Sequence, residues 1–234
     1  TGQHAIETAT RFKDCEVLAV DLSSSSLAYA KRKTEELGLT NIEYMQADIL
    51  DLGVLDRQFD IVESAGVLHH MEDPMAGWKV LTGCLKPGGL MRIGLYSELA
   101  RKNIVQIRHE IQELGIDSGV DAMKSFRQYV VNSEKEYHKK TVLIPDFYNL
   151  SGVRDLLFHE QEHRFTISEI KESLAQLDLA FCGFQFRSDK KVDKFKSQNI
   201  AQDSVYDLDK WDVYEKENPT LFSGMYQFWC QKLI

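Results

Sequence analysis

A small set of acidic, imidazole and phenolic side chains falls where apolar runs of this sequence end. Asp21 closes the run that begins at Glu16, and Asp48 follows Ile42-Glu43-Tyr44-Met45-Gln46-Ala47. Glu63-Ser64-Ala65-Gly66 closes a third run that starts at Phe59, His69 and His70 come just after it, and Tyr96 closes a fourth. A carboxylate at such a point accepts two hydrogen bonds from a vicinal diol. Asp21 stands 19 residues after Gly2, near the ~20-residue spacing at which an acid that follows a glycine loop reaches ribose hydroxyls. Asp48 can accept from an exocyclic amine, with Leu22 and Ile49 as apolar walls for a ring. The small residues Ser64, Ala65 and Gly66 let a ligand approach the backbone. An imidazole near neutral pH is a proton acceptor, which makes His69 and His70 candidate bases, His69 being the one expected to face the site. Tyr96 is a candidate for orienting a substrate.

A second pattern is His159-Glu160-Gln161-Glu162-His163, which matches HExxH. On a helix that spacing sets two imidazoles on one face, with a glutamate as base, around a zinc ion. Against it, Thr166-Ile167-Ser168-Glu169 is a capping box, with Phe165 and Ile170 at the positions of a hydrophobic staple. A helix therefore starts at Thr166 and runs to about Leu177, so one carrying the motif would have to end almost at His163. A structural or substrate-facing role is favoured over zinc, and no metal site is expected.

The elements that must position these residues follow from periodicity and caps. Residues 3 to 12 read as a helix, 16 to 21 as a buried strand, and serines 23 to 26 as a cap. A second helix runs to about Leu37 and stops at Gly38. Strands follow at 42 to 46, 59 to 63 and 90 to 96. A helix from Pro74 to Leu85 and a Lys86-Pro87-Gly88-Gly89 turn separate the last two. This alternation with short connections is that of a parallel sheet with crossover helices. In such a sheet ligands sit beyond the carboxyl ends of the strands, where the residues above fall. After Tyr96 the rhythm changes: a helix ends near Gly115, and a stretch rich in Tyr, Lys and Glu reads as an inserted cap. Strands at 179 to 186 and 225 to 232, with a helix at 208 to 218, complete the chain. The expected division is 1–97 for the ligand-binding part, 98–165 for the cap and 166–234 for the completion of the sheet.

The 234 residues are 43% hydrophobic and 27% charged, and the net charge is −8 without a basic run. That charge repels a phosphate polymer, so nucleic acid is not the expected partner. No apolar run approaches the ~20 residues a membrane helix needs. Four scattered cysteines, none in a CxxC, are expected as reduced, packed thiols in a cytoplasmic protein. Trp211, Tyr214, Phe222, Tyr226, Phe228 and Trp229 are expected to pack the core. The chain opens on Thr1-Gly2 without a methionine, so residues upstream are expected.

The series TG…VLAVDLS…ADILDL…FDIVESAGVLHHMEDP…LKPGGLMRIGLYS resembles the motifs of class I S-adenosylmethionine (SAM)-dependent methyltransferases over residues 1 to 97. The stretches DLLFHEQEHRFT and WDVYEKENPTLFSGMYQFWCQK are similar to a subgroup often fused to tetratricopeptide repeats. The resemblance implies an α/β, Rossmann-like sheet of the seven-stranded type with an antiparallel last strand, and SAM as cofactor. It implies that Gly2 and Gln3 close the glycine loop, that Asp21 holds the ribose and that Asp48 and Ile49 bind adenine. Glu63 to Gly66 and His69 would then lie near the methionine portion. The first strand and the leading glycines are not in the sequence, so the chain is expected to bind SAM poorly without residues upstream. The methyl acceptor is a small molecule or a protein side chain. Two other readings stand beside this one: a nicotinamide-dependent oxidoreductase, since an acid after the second strand also fits NAD(P), and a SAM-binding module without catalysis.

Overall fold

In a computed structural model, which describes residues 2–159, 161–201 and 203–234, the chain forms two compact units, Thr1–Gln58 and Phe59–Ile234. This boundary differs from the three-part division expected from the sequence.

The first unit holds α1 (Gln3–Arg11), β1 (Val17–Asp21), α2 (Ser24–Glu36), β2 (Ile42–Gln46) and a 3-10 turn at Ile49–Val54. The two strands are parallel and in register from Val17↔Ile42 to Asp21↔Gln46. The serine cap forms as expected, with Ser23 Oγ accepting from the Ser26 amide. Gly38, at φ +65°, ends the helix turn. The Asn41 side-chain amide donates to the carbonyls of Ala9, Phe12 and Cys15 and so ties the end of α1 to the start of β2.

The second unit begins with β3 (Phe59–Ala65), a 3-10 turn at Leu68–His70, α3 (Pro74–Gly83) and β4 (Leu85–Leu95). It continues through α4 (Lys102–Glu113), α5 (Val120–Val131), α6 (Glu136–Thr141), a 3-10 turn at Pro145–Tyr148 and α7 (Leu150–Leu157). It closes with α8 (Ile167–Gln176), β5 (Leu179–Phe184), α9 (Lys190–Gln198), a 3-10 turn at Ser204–Tyr206, α10 (Leu208–Glu217) and β6 (Tyr226–Lys232). Its sheet has the order β3-β4-β6-β5. β3 and β4 are parallel, and β6 runs antiparallel to both β4 and β5. The described residues thus hold six strands, in two sheets. The antiparallel last strand is as expected, and β6 lies between β4 and β5.

Two sequence expectations need correction. β4 starts at Leu85, and Lys86-Pro87-Gly88-Gly89 bulges inside it, because Phe59 pairs with Leu85 while Ile61 pairs with Leu90. A helix, α9, lies where none was expected.

The core follows strand alternation. Met91, Ile93 and Leu95 on β4 face Cys230, Phe228 and Tyr226 on β6, and all six are fully buried. Trp78 of α3 packs against Phe228 at 6.0 Å. Most of the aromatic tail is core, as expected: Trp211 stacks on Phe195 at 3.6 Å and 7°, and Tyr214 and Phe222 are buried beside them, whereas Trp229 is only half-buried. Helices α4 to α7 enclose an apolar core of their own, built on Ile104, Ile107, Phe126, Phe147 and Leu156. They are an insertion between β4 and α8. All four cysteines are free thiols. No helix among the described residues is long and apolar enough to cross a membrane.

Candidate functional site

In the first unit, parallel pairing in register puts Asp21 and Asp48 at the same ends of adjacent strands, since Asp21 pairs with Gln46 and Asp48 follows two residues later. Each carboxylate also shapes its own turn. Asp21 Oδ1 accepts from the Ser23 amide at 2.8 Å, and Asp48 Oδ1 accepts from the Leu50 amide at 2.9 Å. The Oδ2 of each has no protein hydrogen bond among the described residues, which leaves one acceptor on each strand end. Leu22 is 66% exposed and Leu50 51%, so apolar side chains stand open beside both acids, while Ile49 is half-buried. These features fit an adenosine: acceptors for hydroxyls and an amine, and apolar walls for a ring.

Gly2 precedes α1 with φ +75°, and a Cβ there would come within 2.4 Å of Ala30 Cβ. A glycine at this point allows α1 to start against α2. Gln3 is exposed and donates to Glu7 within α1.

In the second unit the strand ends differ from expectation. Glu63 is not at the end of β3. It lies two residues inside, opposite Arg92, with 3.6 Å between Arg92 Nη1 and Glu63 Oε2. Ser64 is buried and its hydroxyl has no partner among the described residues. Ala65 ends the strand opposite Gly94, and Gly66 turns the chain at φ +80°.

His69 and His70 share the 3-10 turn that follows but have different surroundings. His69 is fully buried, and neither ring nitrogen has a hydrogen-bond partner among the described residues. Burial above all, then the positive neighbours His70 and Arg101, push its pKa down to about 3. His69 is thus a buried imidazole in the turn after β3. His70 is the partly accessible one. Its Nδ1 lies 3.0 Å from the Gln161 carbonyl oxygen, its Nε2 is 3.7 Å from Asp155 Oδ1, and its ring lies 4.0 Å from that of His159. Burial lowers its pKa as well. Tyr96, just past β4, is buried between His69 at 3.9 Å and the Arg101 guanidinium at 3.6 Å. Burial raises the pKa of its hydroxyl.

The HExxH segment is not a helix. α7 ends at Leu157, and the described residues from 159 to 164 are irregular; Glu160 lies outside the described residues. Glu162 explains the path. Its carboxylate is 1% exposed and takes a bidentate pair from Arg101, at 2.9 and 2.7 Å, and a further contact from Arg108 at 2.9 Å. The His163 amide donates to the His69 carbonyl, and Arg108 also donates to the His159 carbonyl. Arg101, Arg108 and Asp155 were not singled out in the sequence. Asp155 had one local signal, since it stands four residues before His159.

Residues 1–89 match the family model described as a methyltransferase domain. An uncharacterized protein of Synechococcus sp. is 27% identical over 208 residues, covering 85% of this chain and 50% of that protein. A malonyl-[acyl-carrier protein] O-methyltransferase of Enterobacter lignolyticus is 27% identical over 189 residues, covering 77% of this chain and 71% of that protein. Among solved structures, PKMT2 from Rickettsia typhi in complex with AdoHcy matches with a TM-score of 0.67 at 16% identity, over 96% of this chain and 45% of that one. The last of these likenesses is one of fold. The chain spans about half the length of the Synechococcus relative and under half that of the Rickettsia protein. The likeness to a methyltransferase domain thus covers 89 of the 234 residues.

Proposed function

We propose that this chain is part of an enzyme that moves a methyl group from SAM to a small molecule or a protein side chain. The observation that carries the reading is the pairing of β1 with β2, which sets Asp21 and Asp48 side by side at one strand end, each with an acceptor oxygen to spare. In this reading Asp21 accepts from the ribose diol, Asp48 accepts from the adenine amine, and Leu22, Ile49 and Leu50 flank the ring. Gly2 and Gln3 lie at the end of the glycine loop. Ser64, Ala65, Gly66 and the turn through His69 lie toward the methionine portion.

SAM supplies a methyl group on a sulfonium centre, whose leaving group is a neutral thioether. The protein's part is to hold an acceptor in line with that methyl, where positioning can contribute up to ~7–11 kcal/mol, and to take up a proton if the acceptor carries one. Of the imidazoles proposed for that uptake, His70 has the accessible nitrogen, Nε2, which is open to a proton only while it holds nothing else. Tyr96 acts through the packing of His69 and Arg101. Helices α4 to α7 are the proposed cap and choose the acceptor.

The sheet topology supports the expectation of a further strand. β1 is an outer strand of its sheet. In this reading a parallel strand from upstream residues pairs with it and brings its glycine loop to Gly2. Calorimetry with SAM tests this on the chain as it stands and on one extended by its natural upstream residues. Tighter binding by the longer chain is expected, and equal affinity would count against the added strand. Transfer of isotopic methyl from SAM across a panel of metabolites and peptides tests the activity. A thermal-shift comparison of SAM with NAD(P) tests the oxidoreductase reading. Cofactor binding without any transfer would favour the non-catalytic module.

A further inference from the structure

The HExxH segment fails as a helical zinc motif, yet one of its histidines reaches a different set of ligands. His70, from the turn after β3, meets Asp155 from the last turns of α7 and His159 from the segment that follows. One ligand atom from each lies within 4.8 Å of the others. We propose that His70, Asp155 and His159 form a binding site for a divalent transition metal of the zinc class.

The hydrogen bonding of His70 supports this independently of the clustering. A carbonyl oxygen can only accept, so the 3.0 Å contact between His70 Nδ1 and Gln161 O makes Nδ1 the protonated nitrogen. In the neutral ring Nε2 then carries a lone pair, and it faces Asp155 Oδ1 at 3.7 Å. Two acceptors turned toward each other are satisfied by a proton on Nε2 or by a cation bound between them. An imidazole whose other nitrogen donates to a backbone carbonyl is the usual arrangement of a histidine that ligates a metal. Two imidazoles and one carboxylate suit zinc and its neighbours better than calcium or magnesium, which prefer an all-oxygen shell.

The geometry has to tighten before the ion is held. Ligand atoms around tetrahedral zinc stand about 3.3 Å apart, so the three must draw in. Asp155, whose side chain is 55% exposed, is free to do so. His159 Nδ1 accepts from the Gln161 amide at 3.2 Å, and coordination through either nitrogen gives up that long bond. With three protein ligands one position stays open, as in zinc sites that bind an exogenous group. The ion would also fasten α7 and the segment after it to the turn that follows β3.

The test is titration of the full chain, freed of metal by a chelator, with Zn²⁺ by calorimetry and with Co²⁺ by visible absorption, without SAM. One saturable site is expected, with a cobalt spectrum of nitrogen and oxygen ligation and a rise in thermal midpoint on adding zinc. His70→Ala, Asp155→Asn and His159→Ala should each weaken binding by about 100-fold or more. His109→Ala, which removes the exposed imidazole beside Glu113, should leave binding unchanged. Asp155→Asn changes an exposed residue and keeps the test valid if a histidine variant does not fold. No saturable binding, or binding that persists in both Asp155→Asn and His159→Ala, overturns the proposal. Because SAM is absent from the titration, its outcome is independent of the methyl-transfer reading.

Discussion

His69 lies against Tyr96 with ring centroids 3.9 Å apart, and its imidazole, fully buried, has no hydrogen bond among the described residues. The contact makes His69 a packing residue with a titratable ring. Burial pushes its pKa down to about 3 from an ordinary value of 6.5. The unfolded chain therefore binds a proton that the folded chain refuses. The stability His69 leaves intact above pH 6.5 is lost progressively as the pH falls toward 3. Between pH 7 and pH 5 the loss should be about 2 kcal/mol. Urea unfolding of the wild type and of His69→Leu at both pH values checks this. The variant should lose less on acidification, and equal losses would mean that His69 is not sealed from water.

Glu110 is the electrostatic anchor of the helical insertion. One carboxylate oxygen accepts from Tyr129 and Lys135, the other from Tyr137 and His138. Burial opposes its charge, but the four donors together hold its pKa down to about 2. Here the folded pKa lies below the unfolded one, so the stabilisation is complete above about pH 4.5 and disappears as the pH falls toward 2. Glu110→Ala leaves a buried His138 and two hydroxyls without their acceptor and should cost about 3 kcal/mol at pH 7. Hydrogen exchange should locate the loss in α5 and α6. A variant as stable as the wild type would mean that water replaces the carboxylate.

Glu162 pairs with two arginines at once, and this is what turns the segment away from a helix. Glu162→Ala leaves Arg101 and Arg108 buried without their shared counter-charge, at a cost of about 3–5 kcal/mol. A triple variant that combines Glu162→Leu, Arg101→Met and Arg108→Met is expected to be milder than Glu162→Ala alone, since breaking a buried pair costs more than removing it. Thermal unfolding of the two variants distinguishes these outcomes.

The features legible in the sequence are those fixed by local spacing. Alternation from Gln3 to Ala65, the Ser23 cap and the Thr166–Glu169 capping box each act within a few residues, and each forms as read. The Asp21 and Asp48 placement follows from the same periodicity, because two parallel strands in register must end together. Features that depend on distant partners were hidden. HExxH spacing suggests a helix, but nothing near Glu162 in sequence announces Arg101 or Arg108. His69 and His70 are adjacent and chemically alike, and only the tertiary structure buries one and exposes the other. α9 carries a single buried residue, Phe195, too little apolar periodicity to mark a helix. The β4 bulge was missed because Pro87 and two glycines carry a strong turn signal, whereas the partner strand holds them in the sheet.

Asp21 and Asp48 give the most direct test of the cofactor reading. Each spare oxygen, once bonded to a ligand, contributes roughly 1.5–3 kcal/mol as a hydrogen bond to a charged group. Asp21→Ala and Asp48→Ala should therefore each weaken SAM binding by about 10- to 100-fold. Each substitution also removes an acceptor from a turn, so circular dichroism and thermal unfolding must accompany the titration. Asp21→Asn and Asp48→Asn keep a turn acceptor but replace the charged spare oxygen with an NH2 donor, so they should retain the fold while still losing affinity. If the two acids hold ribose and adenine separately, adenosine should lose affinity in both variants, and 2′-deoxyadenosine should be less sensitive to the loss of Asp21 than adenosine is. Calorimetry with the three ligands on a chain that binds SAM measures this. Unchanged affinity in folded Asp21→Asn and Asp48→Asn proteins would mean that the acids serve only their own turns.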